Sequence, residues 1–323
     1  MKKLRKNILI IFSLFIAVLL VACNSENTNT DKDIEKESNT KEAQGKQTRD
    51  YKDYMGHEVE IPTSPKRIVY HGENFGDLLP LDIKPVGTYT DSFKGSVFED
   101  KVKNIEDLGF PIDLEKTLQL SPDLIIIANS DEKLYEQLSK IAPTVVFDTF
   151  APLDKRIIEL GNIVGKKDLA TEWLNEYTAK EESMWKQLVN EGIIKQGETA
   201  SVFTYYPGNK LFVMASTGLP QILYHSNGFK PVDRIQAILD KEMGFEEISL
   251  ELLPEFAGDR IFILTPESDE AKQSTKDLLN NPIWNKLPAF KNNKVYTLEI
   301  LKSSSDASTR EALLEDLPSM LKK

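Results

Sequence analysis

Short apolar runs alternate with amphipathic segments through the chain from residue 51 onward. In the first part, apolar runs bounded by Pro, Gly or Asp occur at 67–70, 85–88, 124–127 and 145–147. Such runs are typical of buried strands, and the segments between them, such as 131–141, have the length and apolar spacing of helices. The alternation predicts a mostly parallel sheet covered by helices on both faces. Before it, the alternating segment 51–61 predicts a small hairpin.

A long helical pattern interrupts this alternation. Residues 153–191 are helical nearly without a break, and Leu169, Trp173, Tyr177 and Trp185 recur at helical intervals. Strand-like runs then return at 200–204, 211–214, 261–264 and 295–298. The pattern predicts two α/β lobes separated by one long helix.

We therefore predict an α/β fold of two lobes, each a mostly parallel sheet with flanking helices, joined by a single long rigid α-helix. The helix has no Gly or Pro from Lys167 to Glu191 that could act as a hinge. The predicted boundaries are 51–165 for the N-terminal lobe, 166–192 for the connecting helix and 193–323 for the C-terminal lobe.

The first 22 residues have the pattern of an export signal. Four basic residues precede an apolar run from Ile8 to Val21, which ends at Ala22-Cys23. A spanning helix usually needs about 20 apolar residues, so the run is short for one. It resembles a bacterial lipoprotein signal, which implies cleavage before Cys23 and a lipid on that cysteine. A transmembrane anchor is the alternative, and both place the rest of the chain outside the cytoplasm.

Residues 23–50 are predicted to form a disordered tether. From Asn24 to Asp50, Ile34 is the only large apolar residue, so too little apolar surface is present to offset the entropy of ordering. A flexible tether of this length spans about 30 Å, which would let the body move over a membrane surface.

Charge and cysteine content exclude several classes of function. The formal charge is -11, and removal of the four cations of the signal makes it -15 (-11 minus 4). Such an acidic surface argues against nucleic acid as a partner. Cys23 is the only cysteine, so a lipid on it leaves no disulfide, thiol nucleophile or thiolate metal site.

An internal repeat supports the division into two lobes. Leu114-Glu115 is followed by Asp123 and an apolar strand, and Leu250-Glu251 is followed by Asp259 and a second such strand. The Leu, Glu and Asp positions all recur at an offset of 136 residues. The Leu and Asp have structural roles available to them in any α/β unit, whereas the two glutamates have no obvious role in a core.

Several short motifs occur in a characteristic order along the body. They are GHEVEIP at 56–62, SPKRIV at 64–69, LEK at 114–116, SPDLI at 121–125, IAPTVV at 141–146, LGNIVGK at 160–166, PIW at 282–284 and NKVY at 293–296. In this order and number they resemble the iron-siderophore substrate-binding lipoproteins of ABC importers. The resemblance covers essentially the whole body.

This resemblance implies a lipid-anchored binding protein rather than an enzyme. Such a protein captures a ferric siderophore on the outer face of the cytoplasmic membrane and delivers it to an ABC permease. We expect a monomer without a cofactor, and without a metal site of its own because the chelator holds the iron. The resemblance also implies that Glu115 and Glu251, one on each lobe, dock against basic residues of the permease.

The resemblance places the ligand in the cleft between the lobes, near strand ends of both sheets. Aromatic residues suit the organic shell of a chelate, and cations suit its oxygen donors. The candidate ligand-binding residues are Tyr70, His71, Tyr89, Phe93, Lys94, Tyr205, Tyr206, Lys210, Met214, Lys302 and Arg310.

Two departures from the family pattern leave the chelator open. Hydroxamate-binding relatives often carry an Arg in the helix start that STGLP occupies here at 216–220, and the loop 301–306 lacks the aromatics of several relatives. Hydroxamate, citrate-type, carboxylate and catecholate chelates are all retained, and haem or a corrinoid is the alternative within the same fold.

Two other classes are disfavoured. A direct metal-binding lipoprotein would need converging imidazole or carboxylate ligands, yet the chain has only His57, His71 and His225, and His57 belongs to the opening hairpin. A hydrolase would need a nucleophile with a base, but the sequence has no Gly-x-Ser-x-Gly or His-Glu-x-x-His motif.

Overall fold

The described chain opens with an antiparallel hairpin. The structure is a computed structural model that describes residues 47–128 and 130–322. Strand β1 (Thr48–Lys52) pairs with β2 (Glu58–Pro62), with Thr48 opposite Pro62. Residues 48–50, which the sequence assigned to the tether, therefore belong to the hairpin. The predicted signal, Cys23 and the tether up to residue 46 lie outside the described residues.

The tether boundary was misplaced because residues 48–50 are held by tertiary contacts rather than by an apolar pattern. The Arg49 guanidinium donates to the carbonyl of Asn162, and the Tyr51 hydroxyl donates to Glu159, both on the helix that ends the N-terminal lobe. Such contacts are invisible in a polar stretch of sequence.

The N-terminal lobe is built on a five-stranded parallel sheet. Its strands are β3 (Ile68–His71), β4 (Gly87–Thr88), β5 (Glu106–Asp107), β6 (Leu124–Ile127) and β7 (Thr144–Val146). They lie in the order β5-β4-β3-β6-β7. The helices of this lobe are α1 (Glu99–Val102), α2 (Leu114–Gln119), α3 (Glu132–Leu138) and α4 (Leu153–Ile163).

Both faces of this sheet are buried, as the apolar runs predict. Successive side chains of a strand point to opposite faces, so Leu124 and Ile126 join one core cluster while Ile125 and Ile127 join another. Burial on both faces explains why β6 reads as a continuous apolar run.

A 24-residue helix, α5 (Lys167–Asn190), follows the N-terminal lobe. At 1.5 Å per residue it is about 36 Å long. Its buried stripe includes Tyr177, Glu181 and Trp185, and the carboxylate of Glu181 is paired with Arg310 of the last helix, 3.0 Å away. The helix is therefore fixed along its length by packing and by a buried ion pair.

The C-terminal lobe contains a mixed sheet. Its strands are β8 (Thr199–Tyr206), β9 (Lys210–Met214), β10 (Lys230–Pro231), β11 (Phe245–Ile248), β12 (Arg260–Thr265) and β13 (Val295–Glu299). The order is β11-β9-β8-β12-β13, with β10 also paired to β8. The pairs of β12 with β8 and β13 and of β10 with β8 are parallel, whereas β9 is antiparallel to β8 and β11.

The helices of this lobe flank the sheet. They are α6 (Pro220–Leu223), α7 (Asp233–Leu239), α8 (Leu253–Phe256), α9 (Asp269–Leu279), α10 (Pro288–Lys291) and α11 (Ala307–Leu321). The two-lobe α/β architecture predicted from the sequence is confirmed.

The start of α11 ties the two lobes together at a second place. The backbone N–H of Ala307 donates to Asp77 Oδ1 at 2.7 Å, and Ser308 Oγ donates to the carbonyl of Gly76 at 2.9 Å. Gly76 is required here because a Cβ on it would lie 1.8 Å from Asp306 Oδ1. These hydrogen bonds and the close packing of Gly76 against Asp306 at the base of the cleft thus add to the connection through α5.

The aspartates of the internal repeat have the same structural role in each lobe. Asp123 accepts hydrogen bonds from the backbone N–H groups of Lys66 and Arg67, at 2.7 and 2.9 Å, just before β3. Asp259 accepts from the N–H and hydroxyl of Thr199, at 2.9 and 2.8 Å, at the start of β8. Each aspartate therefore fastens the start of its own strand to the start of the neighbouring parallel strand.

Across residues 47–128 and 130–322, every helix is too short or too polar to cross a membrane.

Candidate functional site

A cavity of about 700 Å³ lies between the two lobes, at the carboxyl ends of their strands. His71 ends β3, Tyr89 follows β4, and Thr149 comes after β7 on one side. Met214 ends β9 and Ile300 follows β13 on the other. Ligands of open α/β sheets bind outside the carboxyl ends of strands, and the volume is that of a small-molecule site.

Aromatic side chains form the wall contributed by the N-terminal lobe. The rings of His71, Tyr89 and Phe110 stack on one another, with centroids 5.8 to 6.2 Å apart. Phe110 is 72% exposed, and Phe150, which also lines the cavity, is 80% exposed. Large exposed aromatics that face one cavity mark a surface suited to cover an organic ligand.

The orientation of His71 is set by one hydrogen bond. Its Nε2 lies 2.9 Å from the carbonyl oxygen of Gly109, which can only accept, so Nε2 carries the proton. His71 therefore contributes an aromatic face to the site.

A second group of aromatic rings lies deeper in the same lobe. Phe93 and Phe98 line the cavity and pack on each other and on Phe75, with centroids 5.2 to 5.6 Å apart. All three rings are buried. They form a firm apolar floor.

The wall contributed by the C-terminal lobe is built from small and aliphatic side chains. Met214, Leu264 and Leu301 supply its apolar surface, and residues 303–306 form a loop before α11. Ser303 in this loop donates to the carbonyl of Glu299 at 3.0 Å. The absence of aromatics from the loop leaves most of the aromatic surface on the opposite lobe.

Two carboxylates belong to the cavity lining. Glu73 is exposed and accepts a hydrogen bond from Thr149 Oγ1 at 3.1 Å. The amide of Asn74 donates to the carbonyl of Thr149 at 2.6 Å. Thr149 thereby holds together the loops that follow β3 and β7 and places Glu73 at the cleft surface.

The other carboxylate, Asp306, is buried at the base of the cleft. It caps α11 by accepting from the N–H of Thr309 at 3.0 Å and from its hydroxyl at 2.8 Å. Burial raises the pKa of Asp306 to about 6, and the negative charge of Asp77 adds to this, while Thr309 and Arg156 oppose it. Its charge therefore changes close to neutral pH.

Four of the predicted ligand-binding residues line the cavity: His71, Tyr89, Phe93 and Met214. The other seven do not belong to its lining: Tyr70, Lys94, Tyr205, Tyr206, Lys210, Lys302 and Arg310.

The tyrosines point elsewhere because of the strand pleat and local packing. Tyr70 precedes His71 on β3, so its side chain faces the opposite side of the sheet and is buried. The Tyr205 hydroxyl donates to Asn209 Oδ1 at 2.7 Å, and Tyr206 packs edge-on against Phe212.

Three of the four cations are paired with carboxylates. The Lys94 ammonium lies 2.8 Å from Asp91, and the Lys302 ammonium lies 2.5 Å from Glu299. The Arg310 guanidinium donates to Glu181 at 3.0 Å and to Tyr177 at 2.9 Å. Lys210 is exposed at the start of β9. Lys94, Lys302 and Arg310 are thus engaged by carboxylates that do not line the cavity.

Sequence reasoning missed much of the lining. The missed residues include Glu73, Asn74, Phe98, Phe110, Thr149, Phe150, Thr217, Ile300, Leu301 and residues 303–306. Thr149 and Phe150 shortly follow a predicted strand, so the strand-end rule could have found them. Phe110 follows β5, a two-residue strand without an apolar run, and the sequence carries no comparable signal for it.

Within the described residues, no group of three or more His, Cys, Asp or Glu side chains is arranged to hold a metal ion.

Comparison with known proteins connects this geometry to one family. The family model described as "Periplasmic binding protein" matches residues 68–300, which include both sheets, the connecting helix and most of the cavity lining.

Individual relatives agree over most of the chain. The Iron(3+)-hydroxamate-binding protein YxeB of Bacillus subtilis is 32% identical over 305 residues, covering 91% of this chain and 89% of its own. The crystal structure of Staphylococcus aureus SirA complexed with staphyloferrin B superposes with a TM-score of 0.75 at 26% identity, covering 85% of this chain and 99% of SirA. The FhuD protein from S. pseudintermedius gives a TM-score of 0.73 at 26% identity, covering 85% of this chain and 98% of its own.

Proposed function

The chain belongs to the periplasmic binding protein family, and we propose that it captures a ferric siderophore and delivers it to an ABC importer. Proteins of this family bind substrates rather than transform them. The relatives support an iron chelate as the ligand, since YxeB is named an iron(3+)-hydroxamate-binding protein and SirA was solved with staphyloferrin B.

The observation that carries the proposal is the aromatic cavity between the lobes. Its volume of about 700 Å³ and its exposed Phe110 and Phe150 suit a bulky organic ligand. A siderophore surrounds iron with its own oxygen atoms, so the protein needs no cofactor and no metal ligands of its own. The aromatic faces contact the organic shell of the chelate, and the capture is reversible without any chemical step.

Capture requires only a small movement of the lobes. Helix α5 connects them, and the contacts of Asp77 with Ala307 and of Gly76 with Ser308 join them a second time. A cleft whose two lobes are joined at its base in this way is preorganised, which reduces the free-energy cost of ordering the site when the ligand binds.

Delivery depends on a permease that recognises both lobes. Glu115 at the start of α2 and Glu251 in a 3-10 helix of the other lobe (Leu250–Leu252) are both exposed. No described side chain forms an ion pair with either glutamate. Carboxylates at an interface rim orient an encounter with basic residues, and we assign these two to permease docking.

The cellular placement is part of the same proposal. A lipid on Cys23 and the polar segment that follows it would hold the protein at the outer face of the cytoplasmic membrane, where it acts as a monomer. Metabolic labelling with a radioactive fatty acid tests this placement, because Cys23→Ala should abolish the label, and a label that persists in this variant would contradict lipidation of Cys23.

Titration of the purified full-length protein in detergent tests the ligand assignment. Intrinsic fluorescence would be recorded while ferric hydroxamate, citrate-type and catecholate chelates, haem and cobalamin are added in turn. We expect saturable quenching with a ferric chelate and none with its iron-free form. Binding of haem or cobalamin alone, with silence toward every ferric chelate, would keep the fold and overturn the ligand.

A further inference from the structure

The charged groups that line the cleft are acidic. Glu73 and Asp306 belong to the lining, and no lysine or arginine of the described residues does. His71 is the other ionisable imidazole or carboxylate side chain there, and its Nε2–H is already directed to the carbonyl of Gly109. An anionic ligand would therefore enter an aromatic cavity that offers it no cationic side chain.

The cations closest in sequence to the lining do not reverse this balance. Lys94 follows Phe93 and pairs with Asp91, and Lys302 lies between Leu301 and Ser303 and pairs with Glu299. These hydrogen-bonded pairs raise the pKa of each lysine, so both stay charged and both stay neutralised by their partners. The remaining charge at the cleft is that of Glu73 and, when ionised, Asp306.

Ferric chelates differ in net charge, and an acidic cleft can discriminate between them on that basis. Three singly charged hydroxamates cancel the charge of the ferric ion, whereas three doubly charged catecholates or a polycarboxylate leave a strongly negative complex. Juxtaposed like charges cost several kcal/mol at an interface, and they act strongly where water is partly excluded.

We infer that the cleft selects ferric chelates of zero or positive net charge, with Glu73 as the residue that favours a pendant ammonium group. This inference rests on the proposed function and names Glu73 as a residue that sets the charge selectivity of that site. Glu73 suits the role because it is exposed at the cavity and because Thr149 holds its Oε2 at 3.1 Å. No described donor occupies Oε1, which is left to meet a ligand ammonium.

Equilibrium dialysis of the full-length protein in detergent tests this with a matched pair of radioiron chelates. One is a linear ferric trihydroxamate with a free terminal amine, and the other is the same chelate with that amine acetylated. A ferric tris-catecholate serves as the anionic probe. An exposed ammonium–carboxylate pair should favour the amine-bearing chelate about two- to fivefold over the acetylated one. The catecholate should bind about tenfold more weakly or worse.

Three variants assign the selectivity to its residue. Glu73→Gln should bring the affinity ratio of the amine-bearing to the acetylated chelate close to one. Glu73→Lys should invert that ratio and strengthen catecholate binding. Glu136→Gln, an exposed glutamate of α3 outside the lining, should keep the wild-type ratio. Circular dichroism checks that each variant is folded.

The outcomes separate this inference from the proposed function. Catecholate binding as tight as that of the hydroxamates, or a ratio that Glu73→Gln leaves at its wild-type value, would overturn the inference while keeping a siderophore-binding protein. Failure of every ferric chelate to bind would overturn the proposed function, and the inference with it.

Discussion

Asp77 and Arg156 form an ion pair in which neither side chain is exposed, with Arg156 Nε 2.8 Å from Asp77 Oδ2. The pair belongs to the N-terminal lobe, yet two of its other hydrogen bonds reach the other lobe. Arg156 Nη2 donates to the carbonyl of Ser305 at 2.7 Å, and Asp77 Oδ1 accepts from the N–H of Ala307 at 2.7 Å. A buried ion pair whose other donor and acceptor atoms are also hydrogen-bonded in this way fixes the geometry at the base of the cleft.

Loss of the Asp77 carboxylate should destabilise the protein strongly. Asp77→Ala leaves Arg156 buried without its counter-ion, which typically costs about 3–5 kcal/mol. Urea unfolding followed by circular dichroism measures the change. Glu182→Ala, which removes an exposed pair with Lys186, is the matched control and should cost less than about 1 kcal/mol. Similar costs for the two variants would contradict the structural role of the buried pair.

The pH dependence of stability should change when Asp306 is replaced by Asn. The pKa of Asp306 is raised to about 6 in the folded protein from an ordinary 3.8, so the folded state holds this proton more tightly than the unfolded state. The wild type should therefore lose stability relative to Asp306→Asn as the pH rises from about 4 through about 6. The loss is at most about 3 kcal/mol.

Urea unfolding of both proteins at a series of pH values from 4 to 7 measures this difference. Asn can still cap α11, so the comparison isolates the charge. Asp316→Asn, an exposed change on the same helix, should run parallel to the wild type. A constant difference between wild type and Asp306→Asn across this range would contradict the prediction.

Removal of the exposed aromatics of the cleft should weaken ligand binding with little effect on folding. Phe110 and Phe150 are 72% and 80% exposed, so their side chains bury little surface in the folded protein and contribute little to its stability. Truncation of an aromatic anchor at a binding site commonly costs more than about 1 kcal/mol, so Phe110→Ala and Phe150→Ala should each weaken chelate binding about fivefold or more. Tyr54→Ala, at 65% exposure outside the cleft, is the control. Unchanged chelate affinity in both phenylalanine variants would place the ligand elsewhere.

Charge reversal of the two docking glutamates should impair import more than capture. Glu115→Arg and Glu251→Arg place a cation where we expect basic residues of the permease, so each should slow radioiron uptake by cells several-fold. Equilibrium dialysis should show unchanged chelate affinity because neither residue lines the cavity. Glu136→Arg controls for the change of net charge. Equal losses of affinity and uptake would argue against a docking role.

Sequence analysis found the strands and helices whose burial produces a recognisable pattern of apolar residues. The predicted strand at 124–127 is β6, and the helix predicted at 166–192 is α5 (Lys167–Asn190). By contrast, β5, β10 and β11 were missed, because their sequences ED, KP and FEEI carry no apolar run. Those strands exist through hydrogen bonds to neighbours that are distant in sequence.

In the candidate site too, some features could be predicted from the sequence and others could not, even within a single loop. Sequence reasoning identified the strand ends, and His71, Tyr89, Phe93 and Met214 do line the cleft. It also assigned four cations to the cleft, whereas Lys94, Lys302 and Arg310 are each engaged by a carboxylate. A lysine directly beside a lining residue in the sequence can point into the cleft or away from it, and the carboxylate that it pairs with decides which.

The sequence by itself determined the two-lobe architecture, the long connecting helix and the family resemblance, because periodic burial and ordered motifs are local properties of the chain. Only the tertiary structure decided the acidic character of the cleft and the tie between Asp77 and the start of α11. Both depend on the direction of individual side chains and on contacts such as Asp77 with Ala307, 230 residues apart. These side-chain directions and contacts are set by packing and by charge pairing between residues that are distant in sequence.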